Sequence, residues 1–289
     1  KGMQVLYGTT TTTPCVAVAA ETFNDRIFQL TPSASSTKVT EGRDNVFQAC
    51  FTDPNQGKAA ANYIKEHQLG TKVAAIYNNG DPYSTGTFNA FQAEAQEIGL
   101  EVVSASTFPD DTNADFTVQL GEAQKAGADL VFMPIYYTPA SLILNQAKTM
   151  GYEPTFFGCD GMDGILDLEG FDASLAEGLM LMTPFNAWGE DERTVKFVSE
   201  YQALAGGIPN QFAADGYDCI YAIYQACQQA GVTADMGPQE VCEKLTKVFT
   251  DGSFAVDGLT GSGMHWQTNG EVSKDPVVVK VESGKYVTQ

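Results

Sequence analysis

The chain has 289 residues, of which 43% are hydrophobic and 11% aromatic, which is enough for two α/β lobes with full cores. Its 16 Lys and Arg against 36 Asp and Glu give a net charge of −20, which argues against nucleic acid or an anionic membrane as a partner. No apolar run approaches the roughly 20 residues that a membrane span requires. The sequence shows no signal peptide, and any targeting segment is expected upstream of Lys1.

The first 52 residues predict three strands, at 3–7, 27–30 and 46–51, with a helix from Pro14 to about Asn24. Gly8 and the run Thr9–Thr13 join the first strand to this helix. Hydroxyls and free backbone N–H groups at a helix start suit a carboxylate ligand, although an ordinary capping loop is the alternative. The second strand also ends in a hydroxyl-rich stretch, TPSASS.

From 53 to 184, strands and helices alternate, which predicts a parallel sheet. The helices are predicted at 56–67, 88–98 and 116–126, and the strands at 73–77, 102–108 and 179–182.

The segment 128–161 predicts a strand, a helix and a second strand. Leu130–Ile135 is a continuous apolar run, typical of a strand that is covered on both faces. Thr138 is the predicted N-cap of the helix, with Pro139 at its first position. Gly151 is the predicted C-cap, and the next strand starts at Thr155.

Tyr136 and Asp160 follow the ends of these two strands. The crossover makes the strands parallel, so both residues are expected at the same sheet edge. Neighbouring strands lie about 5 Å apart, and ligands of open α/β sheets bind beyond the carboxyl ends of strands. The alternative is that Tyr136 only packs and Asp160 only caps a turn.

After Pro184 the pattern changes to three successive helices, predicted at 192–204, 211–230 and 238–249. Short strands follow around 258–266 and 277–281, with a hairpin turn at Asn269-Gly270. The helices are expected to cover the first lobe's sheet. The predicted domains are therefore lobe one at 1–52 and 185–275 and lobe two at 53–184, with residues 276–289 crossing back to lobe two. Three crossings predict a hinge, with the ligand between the lobes.

Six cysteines are present, and none form a C-x-x-C pair. Cys15 could pair with Cys50, and Cys227 with Cys242. The alternative is that all are small buried residues. G-x-S-x-G, Walker A and H-E-x-x-H motifs are missing from the sequence, so we predict no enzyme activity, no metal and no cofactor.

Six stretches occur in order along the chain: LTPSASSTKVT, VFQACFTDPNQG, YNNGDPYSTG, MPIYYTPASLIL, FFGCDG and EGLMLMTPF. Together they resemble the extracytoplasmic solute-binding proteins of ABC transporters, in the leucine/isoleucine/valine-binding branch. The resemblance implies an α/β, two-lobed type I periplasmic-binding-protein fold, in which each lobe is a parallel sheet flanked by helices and a three-crossing hinge joins them. It also implies that an N-terminal portion of lobe one, roughly 60–75 residues, is absent from this chain.

The resemblance places ligand-binding residues by motif match at Thr12, Ser33, Ser35, Tyr83, Tyr136 and Asp160. The hydroxyls of the first three would hold the carboxylate of an amino acid. Asp160 and Tyr136 would hold its ammonium, and Tyr83 would close over it. The chain departs from the family at two places, because family members commonly have Glu where Asp160 stands and a Ser/Gly-containing loop where Thr9–Thr13 stands.

The function implied by the resemblance is capture of a free amino acid, branched-chain or otherwise small and aliphatic, and its delivery to an ABC transporter permease. The protein would be a monomer outside the cytoplasm, either periplasmic or a cell-surface lipoprotein. The alternative is an amide- or amino-acid-sensing domain of a regulator or receptor, because the same fold serves both roles.

Overall fold

The computed structural model describes residues 2–110 and 114–289, which fold into two compact units. Unit 1 consists of the chain up to Thr52 and of Phe212–Asp275, and unit 2 consists of Asp53–Gln211 and Pro276–Gln289. The chain therefore passes three times from one unit to the other.

Ten strands and eight helices are found in the described residues. The strands are β1 (Val5–Tyr7), β2 (Phe28–Thr31), β3 (Val46–Gln48), β4 (Lys72–Asn78), β5 (Glu101–Phe108), β6 (Leu130–Met133), β7 (Thr155–Gly158), β8 (Met180–Thr183), β9 (Val277–Glu282) and β10 (Lys285–Thr288). The helices are α1 (Thr12–Asn24), α2 (Asp53–Glu66), α3 (Pro82–Ile98), α4 (Thr117–Lys125), α5 (Tyr137–Met150), α6 (Glu192–Ala205), α7 (Gln211–Ala230) and α8 (Pro238–Thr250).

Unit 1 has a parallel sheet in the order β1-β2-β3. Its core is aromatic, because the centroid of the Phe249 ring lies 4.9 Å from that of Phe28 and 4.5 Å from that of Trp266. The Trp266 Nε1–H donates to the Gln48 carbonyl over 2.8 Å, which ties the 264–274 segment to the end of β3. These contacts hold the hydroxyl-rich end of the sheet in place.

Unit 2 has a seven-stranded sheet in the order β10-β9-β8-β7-β6-β4-β5. The strands β4 to β8 are parallel, whereas β9 is antiparallel to β8 and β10 is antiparallel to β9. Side chains of β6 alternate between two cores, since Phe132 belongs to one hydrophobic cluster while Val131 and Met133 belong to the other. Helices cover both faces, which explains why this strand is apolar throughout.

The central strand–helix–strand segment is confirmed, and β6 pairs in parallel with β7 from Leu130↔Thr155 to Met133↔Gly158. The helix α5 ends at Gly151, which has φ +66° as a left-handed C-cap. The predicted N-cap was wrong, because Tyr136 rather than Thr138 precedes the first helical residue. Pro139 is still accommodated within the first turn, where backbone N–H groups have no partner inside the helix.

The boundary predicted at 184 differs from the observed one, because residues 185–211 belong to unit 2. Phe185 and Phe197 pack edge to face with ring centroids 5.8 Å apart. The Asn186 side-chain amide donates to the Tyr286 carbonyl over 3.3 Å, which ties the segment to β10. Of the three helices assigned to lobe one, α6 is therefore placed in the other unit.

The strands predicted around 258–266 form only two isolated bridges, Val256↔Met264 and Trp266↔Val272. The predicted turn is present, because the Gly270 N–H donates to the Gln267 carbonyl over 3.0 Å. Gly270 has φ +85°, a conformation that favours glycine. The strand β10 was not predicted.

The six cysteines form no disulfide with one another in the described residues, so neither possible pairing is formed. Five of them are buried and Cys227 is half-buried, which fits the alternative that they are small core residues. Within residues 2–110 and 114–289, helices fall short of the length and apolar character needed to cross a bilayer.

Candidate functional site

Asp160 is the first residue of a short 3₁₀ turn, Asp160–Met162, that follows β7 in unit 2. Only 2% of the residue is exposed to solvent. Because β6 and β7 are adjacent, the position lies at the carboxyl edge of the sheet, where ligands of this class of fold bind.

Hydrogen bonds hold the Asp160 carboxylate at both oxygens. Gln56 Nε2–H donates to Oδ1 over 2.8 Å, and Gln211 Nε2–H donates to Oδ2 over 3.2 Å. The Tyr83 hydroxyl is a third donor. These three donors carry no charge, so they orient the carboxylate without neutralising it.

Burial raises the pKa of Asp160, and the hydrogen bonds from Gln56, Tyr83 and Gln211 lower it only in part. The surroundings therefore disfavour the ionised carboxylate on balance. A cation placed next to it would be stabilised, and an ammonium would add a charge-assisted hydrogen bond.

Two tyrosines lie beside Asp160 in the same unit. The rings of Tyr83 and Tyr136 are 5.0 Å apart between centroids, and the Gly161 N–H donates to the Tyr83 hydroxyl oxygen over 3.0 Å. A Cβ at position 161 would lie 2.8 Å from the Tyr83 hydroxyl oxygen and 3.0 Å from the Tyr136 ring, so only glycine allows this approach.

Tyr83 is placed by the start of α3, which begins six residues earlier than predicted. Asp81 is the N-cap and accepts the Tyr83 backbone N–H, with Pro82 at the first position. Burial raises the pKa of Tyr83 well above its usual value, so the phenol stays protonated and can donate to a carboxylate.

Unit 1 brings Thr12 and Ser35 together. The Thr12 hydroxyl oxygen accepts the Ser35 backbone N–H over 3.3 Å, because α1 begins at Thr12 and faces the loop after β2. Gln48 Nε2–H donates to the Ala34 carbonyl over 2.7 Å and fixes the same loop. Ser33, in this loop, is 5% exposed. Thr12, Ser33 and Ser35 are all buried at this end of the unit, and we call these three residues the hydroxyl cluster.

The predicted residues thus form two groups, each described within its own unit. Thr12, Ser33 and Ser35 form the hydroxyl cluster of unit 1, and Tyr83, Tyr136 and Asp160 lie together in unit 2. Among the residues that the structure describes, His, Cys, Asp and Glu side chains form no group of three that could hold a metal ion.

Sequence reasoning missed Gln56 and Gln211, although both contact Asp160 directly. Gln56 lies 104 positions and Gln211 51 positions from Asp160, so no local spacing could reveal either contact. The sequence offered only a weak indication of binding, because each glutamine is simply the first residue of a predicted helix.

Asp163 is buried close to Asp160, because only 2% of this residue is exposed. Its Oδ2 accepts the Gln211 backbone N–H over 2.7 Å and the Thr183 hydroxyl over 3.2 Å. Burial raises the pKa of Asp163 to about 6. Asp163 therefore fixes the backbone of Gln211 next to Asp160.

The model of the periplasmic binding protein family matches residues 1–285. The chain belongs to this family. The resemblance found in the sequence motifs is thereby confirmed, and so is the α/β fold class.

Among curated proteins, the chain is similar to Leu/Ile/Val-binding protein homolog 3 of Brucella melitensis, with 25% identity over 99% of this chain and 75% of the relative. For the next curated relatives, the matched region covers only 60% of their length. Among solved structures, a leucine-binding protein from Thermotoga maritima has 26% identity and a TM-score of 0.86, over 99% of this chain and 79% of that one.

A solute-binding protein from Rhodopseudomonas palustris in complex with benzoate has a TM-score of 0.85 but 17% identity, over 99% of this chain and 76% of that one. At this identity, the likeness shows the fold alone. Proteins with one fold thus hold ligands with and without an ammonium, so the ligand of this chain must be argued from its own side chains.

Proposed function

We propose that the protein is the extracytoplasmic substrate-binding component of an ABC transporter, that it binds a free amino acid with a branched or other small aliphatic side chain, and that it delivers this ligand to a membrane permease. Family membership supports the transport role. The single observation that carries the amino-acid part is the buried Asp160 carboxylate, oriented by neutral donors and flanked by two phenols.

An ammonium is the ligand group that best fits the Asp160 surroundings. It offers three N–H donors and a full positive charge, whereas a ligand carboxylate would be repelled by the like charge of Asp160. A charge-assisted hydrogen bond contributes roughly 1.5–3 kcal/mol, more than a neutral one. Asp160 and Tyr136 are accordingly proposed to hold the ammonium, with Tyr83 next to it.

The hydroxyl cluster of unit 1 is proposed to bind the ligand carboxylate. Its backbone supports this role, because the cluster lies where α1 begins, and N–H groups at a helix start favour anions. The Thr12 hydroxyl accepts a backbone N–H and keeps its own hydrogen for a ligand oxygen.

Binding of leucine compared with 4-methylpentanoate, which is leucine without its amino group, tests the proposal. We expect leucine, or another aliphatic amino acid of a small panel, to bind at least about 100-fold more tightly than its deaminated analogue, because the analogue leaves Asp160 without the ammonium. Isothermal titration calorimetry measures both affinities.

Equal affinity for the two compounds would contradict the proposal. Stabilisation by amides or urea in a thermal-shift panel, without stabilisation by any amino acid, would instead favour the sensor alternative.

Leucine binding is expected to weaken as the pH falls through the raised pKa of Asp160. Below that pKa the carboxyl of the free protein is protonated, and the ammonium can bind only after the proton is released. Above it, affinity should not change with pH until the ammonium itself loses its proton. Calorimetry at a series of falling pH values checks this, and an affinity that stays constant down to the pH at which the protein unfolds would contradict a role for Asp160.

A further inference from the structure

Gln211 lies next to Asp160 and is completely buried. Its side-chain Nε2–H group donates to two oxygens of Asp160, the backbone carbonyl over 3.0 Å and the carboxylate Oδ2 over 3.2 Å. Its backbone N–H donates to Asp163 Oδ2 over 2.7 Å. The residue is therefore fixed at both ends, and its side chain cannot rotate without breaking these bonds.

This network also decides which way the amide faces. If the amide were flipped, Gln211 Oε1 would face two acceptor oxygens of Asp160 and be repelled by both. The amide nitrogen must therefore face Asp160, and the oxygen must point away from these two atoms.

Gln211 Oε1 is a buried acceptor for which the described part of the chain provides no donor. Native proteins seldom leave a buried polar atom in this state, because an unmade hydrogen bond costs its desolvation free energy. Because Gln211 Oε1 lies in the residue that orients the Asp160 carboxylate, a hydrogen-bond donor of the bound ligand is the group that would satisfy it.

Gln56 provides the internal comparison. Its Nε2–H donates to Asp160 Oδ1 over 2.8 Å, and its Oε1 accepts the Asp160 backbone N–H over 3.2 Å. Both atoms of this amide are used by Asp160, whereas Gln211 uses only its nitrogen. The two glutamines support the same carboxylate, but only Gln211 has an acceptor left for a ligand.

We propose that Gln211 is a further ligand-binding residue, whose Oε1 accepts a hydrogen bond from a primary ammonium held by Asp160. This inference rests on the proposed function and adds the substrate class, since an ammonium with three N–H donors can satisfy Asp160, Gln211 and one further acceptor. An N-methylated amino acid keeps the charge but has one donor fewer, so the protein should discriminate against it.

The test compares the affinities of three proteins for two ligands. Leucine and N-methylleucine are titrated by calorimetry into the wild-type protein, Gln211→Met and Gln56→Met. Wild type is expected to bind leucine about tenfold or more tighter than N-methylleucine, since the methylated ligand leaves Gln211 Oε1 unpaired. In Gln211→Met this ratio should fall to about twofold or less, whereas Gln56→Met should keep the wild-type ratio even where its leucine affinity is lower.

A wild-type ratio near one, or a ratio that is the same in wild type and Gln211→Met, would overturn the inference. Thermal unfolding shows whether each variant is folded. If Gln211→Met does not fold, the ratio of the wild-type affinities for leucine and N-methylleucine still tests the inference. If wild type binds no aliphatic amino acid, the proposed function fails as a whole. Tight leucine binding with an unaltered ratio defeats only the role of Gln211.

Discussion

Replacing Asp160 with Asn is expected to weaken leucine binding by about 100-fold or more. The substitution keeps the size of the side chain but removes its charge. Removing one partner of a buried charge pair costs roughly 2–5 kcal/mol, which corresponds to factors of about 30 to several thousand in affinity.

The Asn amide also opposes its neighbours, because Gln56 and Gln211 both donate toward the Asp160 side chain. An Asn at this position has one oxygen acceptor where the carboxylate has two, so one of these donors would face an N–H₂ group. Discrimination between leucine and 4-methylpentanoate should therefore be largely lost in Asp160→Asn, and the pH dependence of leucine binding should disappear with it.

Asp129→Asn is the matched control. Asp129 immediately precedes β6, at the amino edge of the sheet, and its Oδ1 accepts the backbone N–H groups of Thr71 and Lys72 over 2.9 Å each. The same chemical change is made there at the opposite edge, so leucine affinity should stay within about twofold of wild type while stability falls. Leucine affinity unchanged in Asp160→Asn would remove Asp160 from the site.

Local patterns in the sequence were sufficient for the framework of the fold. The apolar run Leu130–Ile135 predicts a strand covered on both faces, and its side chains do alternate between two cores. Gly151 predicts a helix end, and the backbone there is left-handed. Such features depend on neighbours within a few residues, so the sequence displays them directly.

Features that depend on distant contacts were missed. The helix α6 was assigned to the wrong unit, because its assignment depends on packing such as that of Asn186 against β10. The strand β10 was overlooked because its alternation is short and it is recognisable only when paired with β9.

In the candidate site too, the residues that follow a local pattern were predicted and those that depend on distant contacts were missed. Tyr136 and Asp160 were predicted because both follow strands of one βαβ unit, whose topology brings strand ends together. Gln211 and Gln56 contact the same carboxylate from other parts of the chain, and neither residue type signals binding by itself. Only the folded structure shows that the Gln211 amide has an acceptor left whereas the Gln56 amide does not, and the Gln211 inference depends on this difference.

Replacing Lys274 with Met is expected to destabilise the protein by about 3–5 kcal/mol, since it leaves a buried carboxylate without its cation. In unit 1, Lys274 Nζ donates to Asp215 Oδ1 over 2.8 Å, to the Thr260 hydroxyl over 2.6 Å and to the Ala49 carbonyl over 2.7 Å. The side chains of Lys274 and Asp215 are 2% and 0% exposed. Chemical denaturation at neutral pH measures the loss.

The double variant Lys274→Met/Asp215→Leu separates the cause from simple loss of packing. Replacing both members of a buried ion pair with apolar residues of similar volume is often neutral or stabilising, so the double variant should recover most of the lost stability. If it is as unstable as Lys274→Met, the deficit comes from packing or from the lost bond to the Ala49 carbonyl, and the explanation by an uncompensated charge is wrong.

The pH dependence gives an independent check on the same charge. Burial raises the pKa of Asp215 to about 7 even though Lys274 lowers it, so in Lys274→Met the pKa should lie still higher. The native state then binds a proton more tightly than the unfolded chain, so the stability lost in the variant should decrease as the pH falls through the raised pKa.

Lys148→Met is the surface control, because Lys148 and Glu153 form an ion pair whose side chains are 64% and 70% exposed. This control should leave the unfolding midpoint unchanged at every pH, because solvent already screens the pair that it removes.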